Sequence, residues 1–195
     1  MPNCGRHSLC PVRGARLSFL VASTAIVLLG TATSSSASSI ATTRPAQRAI
    51  ADSGLSLEVV AGVNALRVQH GLVPLLPSAA LTLAAASHSA SMGLRGFFSH
   101  ESADGSAFWN RVNRFYKPTK RESWSVGENL LWSAPSIDSA EAIRLWLASP
   151  AHRAVLLAPK WRDIGLAAVH VMAAPGVFNG QDVVIVTADF GVRRP

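Results

Sequence analysis

The segment SPAHR, residues 149 to 153, sets a serine, a proline and a histidine at the start of a helix. Ser149 suits the N-cap and Pro150 the first helical position, so His152 falls at the third. A side chain there sits over unpaired backbone N–H groups and the positive end of the helix dipole, which disfavours a protonated imidazole. A neutral imidazole is what a metal ion or a general base requires. Other chemistry-like strings fail on their context. ADFG at 188–191 echoes a kinase metal loop, but the chain has no Gly-rich loop or catalytic-loop motif, so it reads as a strand end with a turn. HESAD at 100–104 lacks the second histidine of a helical zinc-protease motif, and no GxSxG elbow occurs.

The remaining histidines read as structural. His88 lies on the apolar stripe of a helix and is expected in the core or at its boundary, and His70 sits at a helix end, where its charge suits the dipole. His170 alternates with apolar strand residues and is expected in the core. His7 falls in the N-terminal segment.

Helices and strands must position His152. Apolar residues at Val60, Val63 and Leu66, beginning from Leu57, predict a first helix that His70-Gly71 stops. Ser78 caps a second helix, AALTLAAASHSASMGL, with Leu81, Ala84, Ala85, His88 and Met92 on one face and Gly96 at its end. A third, starting at Ser106, turns Phe108, Val112 and Phe115 inward and Arg111 and Arg114 outward. Asp138 and Glu141 resemble a capping box before AIRLWLAS, which must end before Pro150. SVGENLLWS is too short to classify by periodicity. DIGLAAVHVMA and VVIVTADFG are β-branched and apolar on both faces, and turn pairs separate them, so they predict two antiparallel strands covered on both sides by helices.

The first 37 residues have the layout of a secretory signal peptide: Arg6, Arg13 and Arg16, an apolar run from Leu17 to Leu29, then small polar residues. The run is too short to span a bilayer, which takes ~20 residues. Removing residues 1–37 leaves 158, enough for one domain, and discards both cysteines, Cys4 and Cys10, so no disulfide or sulfur metal site is expected. Residues 38–54 lack periodicity and read as a linker, which places the domain at 55–195. The net charge of +7 includes the three leader arginines, and the 15 basic and 11 acidic residues that remain give little reason to expect nucleic-acid binding. The basic run NRFYKPTKR at 113–121 reads as a solvated loop, with contact to an anionic envelope polymer as the other option. The five tryptophans read as core and rim packing.

NALRVQHGLVPL (64–75), FFSH (97–100), GENLLW (127–132), AIRLWLASPAHRAVLL (142–157) and DIGLAAV (163–169), in that order, resemble the CAP superfamily of cysteine-rich secretory, antigen 5 and pathogenesis-related 1 proteins, most closely its bacterial secreted branch. The resemblance implies an α+β fold, a three-layer α/β/α sandwich with a small antiparallel sheet covered by helices. It also implies a cleft lined by two histidines and two acids, carried here by His100, Glu128 and His152. Ser149 stands where the second acid would be and is taken as a ligand-contacting position. Two imidazoles and a carboxylate suit a divalent metal, zinc by default, with Glu128 as candidate base. Read from the residues alone, Glu128 is equally a buried carboxylate satisfied by backbone donors, and His100 an exposed loop histidine.

The function expected is a secreted binding module at the cell envelope that takes a metal and a small lipid, sterol or glycan ligand, without nucleic acid and without a transmembrane span. The alternatives are a metal-assisted hydrolase of peptide or cell-wall polymer and simple adhesion to anionic polymers.

Overall fold

The structure is a computed structural model that describes residues 47–195. The expected signal peptide and residues 38–46 of the expected linker lie outside the described residues. The element order is β1 (Ala49–Asp52), α1 (Ser53–Gln69), β2 (Leu76–Pro77), α2 (Ala79–Arg95), α3 (Phe108–Phe115), β3 (Ser123–Ser133), α4 (Ser139–Ala148), α5 (Pro150–Leu156), β4 (Asp163–Ala174), a 3-10 turn at Gly176–Phe178, and β5 (Gln181–Arg194).

β4 and β5 pair antiparallel as their two-faced apolar runs require. β5 pairs antiparallel with β3, which resolves SVGENLLWS as a strand along the sheet edge. On the other side of β4 lie β1, antiparallel, and the two-residue β2, parallel. β1 corrects the sequence reading, because Ala49–Asp52 were assigned to the linker. Four residues show no period of their own, and only pairing with β4 makes them a strand.

Side chains alternate along β5 and divide the core between the two faces of the sheet. Val184, Val186, Ala188, Phe190 and Val192 pack with α1, α4 and α5 residues such as Val59, Val63, Trp146 and Leu156. Val183 and Ile185 pack on the opposite face with Met92 of α2, and α2 and α3 share Leu81, Ala84, Val112 and Tyr116. The three-layer sandwich is as the sequence predicted. Gly165 of β4 lets α2 lie close, since a Cβ there would overlap the backbone of Leu81 and Thr82. Gly96 ends α2 in the left-handed region at φ 73°.

Several expected faces are corrected. α1 buries Leu55, Val59, Val63 and Arg67, whereas Leu57 is exposed. The guanidinium of Arg67 is held inside by the carbonyls of Leu156 and Ala158, at 2.7 and 3.1 Å, a pairing no local period reveals. In α3, Arg111 is buried and Phe115 is exposed, the reverse of the expectation. His170 is not a core residue: it is partly exposed and bonded through Nε2 to Asp52 Oδ2 at 3.0 Å. His88 is buried as expected, and His70 caps the end of α1.

Candidate functional site

α4 stops at Ala148, and Ser149 starts α5 with Pro150 at its first position. The Ser149 hydroxyl accepts the His152 backbone N–H at 3.5 Å, a long cap. The hydroxyl at the position taken for ligand contact therefore serves the helix start that carries His152. Asn129 of β3 donates from Nδ2 to the His152 carbonyl at 3.0 Å and ties α5 to the sheet edge. Burial, with the neighbouring His100 second, holds the His152 imidazole below its ordinary pKa, so the ring is neutral at neutral pH.

His100 arrives from the loop between α2 and α3. Its Nδ1 is 2.8 Å from Oε1 of Glu128, which projects from β3. The His100 side chain is 49% exposed and that of Glu128 is 1% exposed, so the carboxylate lies behind the ring. The hydrogen bond to Glu128 raises the His100 pKa, against an opposing effect of burial. It also commits Nδ1 and leaves Nε2 as the nitrogen for an external partner.

Arg111 is the residue that the sequence reading turned the wrong way. Its Nη2 donates to Glu128 Oε2, and its Nη1 donates to the His100 carbonyl and to Ser102 Oγ, both at 3.3 Å. Glu128 is thus buried as one reading of the residues had it, but side chains satisfy it rather than backbone donors. A buried carboxylate needs such a cation, and that requirement was the one available signal for Arg111.

Asp189 was also missed, because ADFG was read as a strand end. It is the cross-strand partner of Glu128 and is fully buried, with neither carboxyl oxygen in a hydrogen bond. Burial first, and the Glu128 charge second, push its pKa well above the usual carboxylate range. An acid inside the apolar run VVIVTADFG was the signal for it.

The expected three-ligand metal set of His100, Glu128 and His152 does not fit this geometry. Both Glu128 oxygens are taken, one by His100 and one by Arg111. Among the described residues no group of three or more His, Cys, Asp or Glu side chains is arranged to hold a metal ion. His100 is oriented by a sealed carboxylate–arginine pair, and His152 sits on a helix start.

A family model described as CAP, the cysteine-rich secretory protein family, matches residues 60–185. The chain belongs to the CAP family. Both cysteines precede the matched segment. Solved CAP-like structures share the fold. An extracellular protein containing an SCP domain from Bacillus anthracis aligns at 24% identity and a TM-score of 0.55, covering 70% of this chain and 40% of that one. An outer surface protein from Borrelia burgdorferi aligns at 19% identity and a TM-score of 0.58, covering 75% of this chain and 98% of that one. The CAP chain here thus spans well under half of the Bacillus protein. A search of curated proteins finds no match to it.

Proposed function

We propose that this CAP domain is an exported binding module at the cell envelope, with the imidazoles of His100 and His152 as its contact face for a small ligand. The observation that carries this reading is the locked state of Glu128. Its two oxygens are engaged by His100 and Arg111 behind the ring, so it positions an imidazole instead of standing free to take a proton from a substrate or a water. A divalent ion bound to this face would be held by the two imidazole nitrogens and solvent, with Glu128 as orienter of His100. A glycan, lipid or sterol headgroup is the organic ligand that the family resemblance implies. Export is supported by the leader-like residues 1–37 and by the extracellular and outer surface names of the two relatives.

The test measures retention on envelope polymer and release of soluble fragments from it, side by side. A binding module gives saturable retention without release, and His100→Ala with His152→Ala weakens the retention. Steady fragment release that Glu128→Gln abolishes would establish a hydrolase instead.

A further inference from the structure

Three segments distant in the chain meet at one end of the sheet. The register of β3 on β5 sets Ser123 opposite Arg194 and Trp124 opposite Arg193, and Arg162, just before β4, donates its backbone N–H to the Gly191 carbonyl at 3.0 Å. Residues 119–125, 159–163 and 191–194 thereby bring together Lys120, Arg121, Lys160, Arg162, Arg193 and Arg194, all exposed. The same segments hold two acids, both engaged: Glu122 accepts the Thr119 backbone N–H at 2.8 Å, and Asp163 accepts the Tyr116 hydroxyl. Among the described residues, none of the six cations forms a salt bridge. This end of the sheet carries an uncompensated positive field.

Half of these charges are held in place. Lys160 Nζ donates to Ser125 Oγ at 2.9 Å and lies 4.2 Å from the centre of the Trp161 ring, which leaves two of its three N–H groups for an outside acceptor. Arg162 Nη1 donates to the carbonyls of Pro159 and Trp161 at 2.9 and 2.8 Å, and the Arg193 guanidinium lies 4.3 Å from the centre of the Tyr116 ring. Cations fixed beforehand lose less freedom on binding. Lys160 and Arg194 also line a groove of about 170 Å³ with Ser123, Trp124, Ser125 and Val192, so its lining contains two cations, two hydroxyls and no acid.

We propose that this end of the sheet binds an acidic polysaccharide, with a carboxylate seated in the groove on Lys160 and Arg194 and sugar hydroxyls meeting Ser123 and Ser125. An anionic lipid surface fits less well, because none of the exposed large apolar side chains falls in the three segments. A single-stranded nucleic acid calls for an open aromatic face on which bases stack, and Trp124, the aromatic residue of the groove, packs against the cluster of Leu81, Ala84, Val112 and Tyr116. The inference shares no residue with the His100–His152 reading and does not rest on it.

The experiment titrates polygalacturonate into the protein at pH 7 and low salt, beside dextran, single-stranded DNA and phosphatidylserine–phosphatidylcholine vesicles, the anionic probes at equal concentrations of negative charge. Polygalacturonate binds saturably, more tightly than DNA or vesicles, and weakens as salt is raised, while dextran does not bind. Lys160→Gln with Arg194→Gln weakens polygalacturonate roughly tenfold, the worth of two exposed charge contacts, whereas Arg48→Gln with Arg95→Gln, an equal loss of charge elsewhere, leaves it within about twofold. Affinity unchanged in His100→Ala with His152→Ala separates this surface from the two imidazoles. No saturable binding, tighter binding of DNA or vesicles, equal losses in the two arginine-containing pairs, or loss in the histidine variant overturns the proposal. If Lys160→Gln lowers the melting midpoint without ligand, Arg121→Gln with Arg194→Gln, both exposed, serves the same comparison.

Discussion

Arg111 Nη2 donates to Glu128 Oε2 from the side opposite the half-exposed ring of His100. That contact makes Glu128 part of a three-member chain of imidazole, carboxylate and guanidinium, two of whose members are buried.

Removing one partner of such a pair leaves the other as an unpaired buried charge. Arg111→Met is expected to lower stability by about 3–5 kcal/mol, and Glu128→Leu alone by a similar amount. The double variant is expected to lose less than the sum of the two. Urea denaturation of the four proteins gives the coupling, and strict additivity would show that the pair does not hold together in solution.

Asp189 contributes in the opposite sense. A carboxyl with a raised folded pKa keeps its proton in the native state where the unfolded chain has lost it, so stability falls as pH rises from about 4 toward the folded pKa. Asp189→Asn keeps the shape and removes the titration. Its melting midpoint at pH 7 is expected above that of the parent, and the gap is expected to close near pH 4. A midpoint below the parent at pH 7 would mean that the ionised acid is stabilising.

His88 sets part of the acid limit. Burial, with Arg111 second, lowers its pKa from 6.5 to about 4. The unfolded chain then binds a proton that the native state refuses, so stability is lost as pH falls from about 6.5 to about 4. The loss is about 3 kcal/mol across that window. His88→Gln is expected to flatten this limb in denaturation curves taken at successive pH values, whatever its effect at pH 7. An unchanged slope would place the ring in contact with water.

The layers of this fold were legible because hydrophobic period reports which face of an element is buried. VVIVTADFG announces a strand covered on both sides, and the Ser78 cap and Gly96 stop bound α2 to within a residue. The start of α5 was legible for the same local reason, since Ser149 and Pro150 act within one turn. Less visible was whatever depends on a partner distant in the chain. β1 exists because β4 lies beside it. Arg111 and Arg67 look like surface residues by their helical positions and are drawn inside by a carboxylate and by carbonyls from other elements. Asp189 was hidden by a misleading tetrapeptide, although an acid in a run that is otherwise apolar but for Thr187 is an anomaly that burial chemistry must explain.

The central claim is that His100 and His152 form one accessible face while Glu128 acts only through His100. A Zn²⁺ titration read by melting midpoint tests it most directly, with the parent, His100→Ala with His152→Ala, and Glu128→Gln compared at pH 7. The account predicts a saturable rise in the parent, worth about 2.7 kcal/mol at a hundredfold excess over Kd, no rise in the double histidine variant, and binding weakened roughly 10–100-fold but retained in Glu128→Gln. Equal rises in the parent and the double histidine variant would contradict it.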